Sequence, residues 1–184
     1  MTLTSSLNLL VKTNRASIRF FLLFMLIFAF VQVLMYFARA HIMPFVVDKL
    51  DAAVCVAIIN WITPAEKAVA SGSSISSGPF AITIALGCEG TEAWVLVIAA
   101  IFAFPAGIGK KVTGFLSGTL VIYLVNLLRI MALYYVLKYK PVLFDIMHFY
   151  VGQILVIMAG MLFFVIWTGS LGAGDLLEKN ETLR

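Results

Sequence analysis

Three residues of different chemical type sit at matching ends of three apolar segments. Cys88 lies in Gly87-Cys88-Glu89-Gly90, just before one apolar run. Arg129 lies inside a second run, three residues after Asn126, and His148 comes just before a third. A thiol, a fixed cation and an imidazole together suffice for acyl transfer. The thiolate attacks a carbonyl, the cation stabilises the developing negative charge, and the imidazole moves the proton. Three further residues could support such a site. Asn126 lies one helical turn before Arg129 and on the same face. Glu92, four residues after Cys88, shares its helix face and could orient a partner or pair with Arg129. Gln153 follows His148 and could line the same cavity.

Each residue also has a plainer explanation. An arginine within a spanning segment is costly unless it is near the surface, paired or facing a polar cavity. Arg129 could snorkel to the outer headgroups, or pair with Glu89 or Glu92. A lone membrane cysteine is usually a small packing residue. Cys88 is set apart by flanking glycines, which permit a tight turn and close approach. A helix N-terminus and a nearby arginine would both favour its thiolate. A Cys55–Cys88 disulfide is the other alternative. His148 could be an ordinary interfacial histidine, and His41 lies near the same boundary. No metal or cofactor is expected, since the two histidines are far apart and lack ligand spacing such as His-x-x-x-His.

The elements that must position these residues are membrane helices. Charged residues make up 12% of the 184, against roughly 25% in soluble domains. Several stretches reach the roughly 18 apolar residues of a spanning helix. The net charge of +4 is dispersed, and no basic run with interleaved aromatics suggests nucleic-acid binding. The pattern predicts a single integral membrane domain over 1–184. It is an α-helical multi-pass protein with about four transmembrane helices, at 18–38, 91–108, 112–137 and 149–168, and a polar, loose tail at 170–184. Ala38-Arg39-Ala40 has the form of a signal-peptidase site, but the apolar run before it is too long for a signal peptide. Residues 50–62 are apolar but short and read as an interfacial helix, with Trp61 at headgroup level. Phe80 to Leu86 alternates large and small side chains and predicts a strand. Paired with residues around Ile75, it makes a small extracytoplasmic β-hairpin.

Four spans put both termini on one side. That side carries Lys12, Arg15, Arg19, Lys110, Lys111, Lys179 and Arg184; the other carries Arg39, Lys49, Lys67, Lys138 and Lys140. The positive-inside rule makes the first side cytoplasmic. Lys111 to Arg129 is roughly 27 Å of helix and Cys88 to Lys110 roughly 33 Å. Cys88, Arg129 and His148 are thereby expected at one boundary, the extracytoplasmic one.

With those residues in view, the chain resembles the exosortase/archaeosortase family of membrane transpeptidases over about residues 80–167. The resemblance rests on the strand leading into Gly87-Cys88-Glu89-Gly90, then Phe104-Pro105-Ala106, Asn126-Leu127-Leu128-Arg129-Ile130, and His148 ahead of Gln153. The Gly-Cys-x-Gly-x-Glu-Ala form looks most like the exosortase H subtype. One departure is Gly152, where that subtype leads one to expect a bulky aromatic. The resemblance implies a Cys88–Arg129–His148 site in a bacterial inner membrane, facing outward. Its implied partners, besides the lipid bilayer, are exported proteins ending in a motif, a hydrophobic helix and a basic tail, which it cleaves and transfers to an acceptor. Two other classes stay open on the residues alone. One is a small transporter or channel with Asn126 and Arg129 lining an anion path. The other is a non-enzymatic assembly protein in which the trio only packs.

Overall fold

The computed structural model of the chain describes the backbone of residues 3–85 and 88–181, with side chains for 15, 17–85 and 88–172. Leu86 and Gly87, at the end of the expected strand, and Arg184 in the tail lie outside the described residues. So do the side chains of Lys12 and Lys179.

The first apolar run does not stop at Ala38. Helix α1 (Leu3–Phe45) passes through a π-helical stretch, Val46–Ala52, into α2 (Ala53–Ile62). Pro44 lies inside this path. It has no N–H to donate back one turn, and the wider π register begins two residues later. The apolar part runs over Ser17–Ile62, 46 residues, roughly 69 Å at helical rise. That is more than twice the bilayer core of about 30 Å, so only part of it can lie in lipid. The expected separate interfacial helix at 50–62 is therefore the end of a longer path. Its Cys55 and Ile59 are fully buried, against Leu127, Ile130 and Tyr134 of a later helix, while Trp61 is 82% exposed.

A short 3-10 turn, Pro64–Glu66, leads to three antiparallel strands in the order β1 (Val69–Ser71), β2 (Ser74–Ser77), β3 (Phe80–Thr83). Ile75 pairs with Ile82 as expected, and also with Ala70 on β1. The hairpin is thus one half of a meander, and its last strand ends at Thr83 rather than running to Leu86. Glu66 anchors this cap. Its carboxylate accepts hydrogen bonds from Ser77, Tyr134 and Tyr139 and forms an ion pair with Lys138.

The span expected at 91–108 is α3, Thr91–Ala103. Phe104 is extended (ψ 138°), as the residue before a proline tends to be, and Pro105 ends the helix. Thirteen residues rise about 20 Å, short of the bilayer core. Among the described residues three helical stretches, not four, are long and apolar enough to cross: Ser17–Ile62, Ile108–Tyr139 and Pro141–Gly172. Helix α3 is instead the buried strut among them. Val95, Val97, Ala99 and Ile101 are almost fully enclosed.

Helix α4 (Ile108–Tyr139) returns antiparallel to α3, with Trp94 Nε1 donating to Thr119 Oγ1 at 2.9 Å and Lys111 Nζ to the Phe102 carbonyl at 2.7 Å. A 3-10 turn (Pro141–Leu143), one turn of helix α5 (Phe144–Ile146) and a π turn (Met147–Val151) then lead into α6 (Gly152–Glu181). The tail expected to be loose from 170 continues this helix to Glu181. Small residues set the α4–α6 contact. A Cβ on Gly114 would lie 2.7 Å from Trp167, and one on Gly118 2.9 Å from Phe163, so only glycine lets the two axes approach so closely.

Candidate active site

Four elements converge on Cys88. A turn in which the Cys88 N–H donates to the Ala85 carbonyl (3.0 Å) carries it from the sheet toward α3. Gly90, at φ +73°, caps that helix, and a left-handed conformation there suits glycine. Helix α4 supplies Arg129, which is 6% exposed and deep in its helix. The π turn before α6 supplies His148, and single π turns inside helices often accompany functional sites.

The three side chains meet. Cys88 Sγ lies 3.7 Å from His148 Nε2 and 3.8 Å from Nδ1. The Arg129 guanidinium approaches the same sulfur at 4.0 Å. The imidazole is held between rings, stacked on Phe144 (5.4 Å, 10°) and edge-on to Phe149 (4.7 Å, 79°). Both cysteines are free thiols, so the Cys55–Cys88 disulfide alternative is absent. Cys55 is instead a packing residue whose sulfur faces the Leu127 carbonyl.

Burial pushes the Cys88 thiol up from its ordinary range. Arg129 pulls it down by less than burial raises it, and Glu89 adds to the rise. Burial thus works against the thiolate that a helix N-terminus and an arginine favour, in a thiol that lies beside an imidazole. Its deprotonation would have to be coupled to the imidazole in contact with it.

The supporting candidates separate. Asn126 is fully buried on α4, with Gly90 packed over its amide; a Cβ there would lie 2.9 Å from Asn126 Cγ. Glu92 is exposed and lines a cleft with Gln32, Tyr36 and Arg39. It does not share a helix face with Cys88, because α3 begins only at Thr91. The acidic residue that matters to the turn is Glu89, whose carboxylate accepts from Arg39 at 2.8 Å. Gln153 is half-buried and makes no hydrogen bond to the trio among the described residues.

Two contributors were missed in sequence. Arg39, the cation at the far end of the first apolar run, reaches across 50 residues to Glu89 in the turn beside Cys88. Gly152 gives Arg129 its seat: a Cβ there would fall 2.8 Å from Arg129 Nε and 2.9 Å from the Met147 carbonyl. The absent bulky residue is thus the space through which the guanidinium passes.

A family model described as transmembrane exosortase (Exosortase_EpsH) matches residues 1–165. No curated protein and no solved structure matches.

Proposed function

The chain belongs to the transmembrane exosortase family, and we propose that Cys88, Arg129 and His148 carry the transpeptidase chemistry that membership implies. His148 takes the Cys88 proton as Sγ attacks a peptide carbonyl; an S–C bond forms, and the carbonyl oxygen gains charge facing Arg129. The C–N bond then breaks, with His148 returning its proton to the leaving amine. An amine, a hydroxyl or water attacks the thioester next. His148 accepts that nucleophile's proton and passes it to the departing sulfur, which restores the thiol. The observation that carries this reading is that a buried thiol has an imidazole nitrogen at 3.7 Å and a guanidinium at 4.0 Å, each from a different element.

The substrate is the membrane-proximal segment of an exported protein ending in a motif, a hydrophobic helix and a basic tail. The site faces outward from a bacterial inner membrane. The charges support that side. Arg15, Arg19, Lys110 and Lys111 fall at the opposite end of the spans from Cys88, as cytoplasmic residues should.

Co-expression with a tagged exported protein of that ending tests the chemistry. Cys88→Ala, Arg129→Ala and His148→Ala should each insert normally and stop processing, and Cys88→Ser should be nearly as damaging. Ordinary cleavage by Cys88→Ala would sink the mechanism.

A further inference from the structure

Asn126 is 1% exposed, and neither its amide nitrogen nor its oxygen has a hydrogen-bond partner. Native proteins seldom leave a buried carboxamide unanswered on both sides. The residue lines the end of a cavity of about 470 Å³ among α1, α3 and α4. Ile42, Val46, Trp94 and Ile122 make its walls apolar, and Gly90 of the nucleophile's turn closes the end where Asn126 lies. Arg129, whose guanidinium approaches Cys88 Sγ at 4.0 Å, is three residues further along the same helix. That step is about 4.5 Å of rise, between one and two residues of extended chain.

Resting on the Cys88 reading above, we propose that Asn126 is a substrate-positioning residue. It binds an extended, apolar stretch of peptide one or two residues from the bond that Cys88 attacks. Nδ2 donates to the carbonyl and Oδ1 accepts from the N–H of a single substrate residue, which point the same way in extended chain. Such a ligand answers both halves of the carboxamide at once. A lipid chain answers neither, and a phosphate or carboxylate answers only the donor. The apolar walls receive the neighbouring side chain, and Gly90, which has no Cβ to collide with the Asn126 amide, packs against it and holds it at the end of the cavity.

The test compares two alkylating probes on the purified full chain, with mass spectrometry locating the label. Iodoacetamide needs only an accessible thiol at Cys88. Acetyl-Leu-Leu chloromethyl ketone also carries extended apolar backbone. The peptidyl probe should react faster with Cys88 in the unaltered protein. Asn126→Leu and Asn126→Ala should each cut the ratio of the two rates by about tenfold, the worth of one well-made polar contact. The ratio cancels any change in thiolate content, which a merely structural role could cause. Labelling of the fully buried Cys55 would reveal misfolding of the Leu variant, and the Ala variant then decides. An unchanged ratio in a folded variant overturns the assignment, as does a peptidyl probe with no advantage in the unaltered protein. Failure of both probes at Cys88 is a separate result: it removes the reactive thiol itself, and this inference with it.

Discussion

At the scale of single residues, the site sets a buried thiol between an imidazole and a guanidinium. Burial outweighs the pull of Arg129 on Cys88, so alkylation of Cys88 by a small reagent should climb with pH beyond the ordinary thiol range near ~8.5. Arg129 stabilises the charged form, so Arg129→Ala should move that profile to still higher pH; a profile that stays put would show that the 4.0 Å approach carries no electrostatic weight. Gly152→Ala tests the seat of the guanidinium. Its Cβ would press on a backbone carbonyl at 2.9 Å as well as on Arg129, and backbone cannot swing away as a side-chain end can. Misplacing a catalytic group by an ångström can slow a reaction on the order of 100-fold, so processing should fall steeply while insertion is unchanged. The trio was legible in sequence because a thiol, a cation and an imidazole are conspicuous at the ends of apolar runs. Gly152 stood out only as a departure, since what a missing side chain makes room for depends on a neighbour 23 positions earlier. Glu92 was misassigned for a local reason. Helical spacing applies only inside a helix, and Cys88 precedes the first turn of α3.

At the scale of elements, the Glu66 carboxylate ties the sheet cap to the bundle. Glu66 links the turn after α2 to β2 through Ser77, and to α4 through Tyr134, Lys138 and Tyr139. These partners, Lys138 first, hold its carboxyl down at about 2, against an ordinary 4.5. A depressed carboxyl contributes stability that is fully present above the unfolded value and lost as pH falls through the folded one. The thermal midpoint of the unaltered protein should therefore drop as pH falls from about 5 toward 2. In Glu66→Gln the midpoint should begin lower and lose less over that range. Parallel curves for the two proteins would remove Glu66 as the clamp. None of this clamp was visible in sequence, because its partners lie 11 to 73 positions from Glu66. The β2–β3 pairing was visible, through alternation over Phe80 to Leu86 and the turn residues before it. The span count failed where apolar content and length part company. Helix α3 is as apolar as a membrane span but stops at Pro105, and it hides among its neighbours instead of meeting lipid.

At the scale of the whole molecule, the fold keeps the Cys88–Arg129–His148 cluster apart from the Lys110–Lys111 end of α4. The sheet, the Cys88 turn, the His148 turn and Lys138 gather at one end of α4, and Lys110 and Lys111 with the loop from Phe104 to Gly107 lie at the other. The 32 residues of α4 rise roughly 48 Å between those ends, longer than the bilayer core of about 30 Å. Both ends must therefore emerge into water or headgroups, and the two sets of residues must face opposite compartments. The chain must pass between those two ends through α3 as well, which at 13 residues is short for a span of its own and is enclosed by the longer helices. Which compartment receives the site follows from where the lysines and arginines near the helix ends are retained, and single-cysteine labelling decides it. In a chain lacking Cys55 and Cys88, Ser71→Cys, exposed where β1 enters its turn to β2, should react with a membrane-impermeant maleimide in intact cells with a permeable outer envelope. Lys110→Cys should react only after the inner membrane is opened. The reverse pattern would turn the whole bundle over and put the thiol in the cytoplasm, where a protein already exported could not reach it; labelling of both sites in intact cells would mean that α4 does not cross at all.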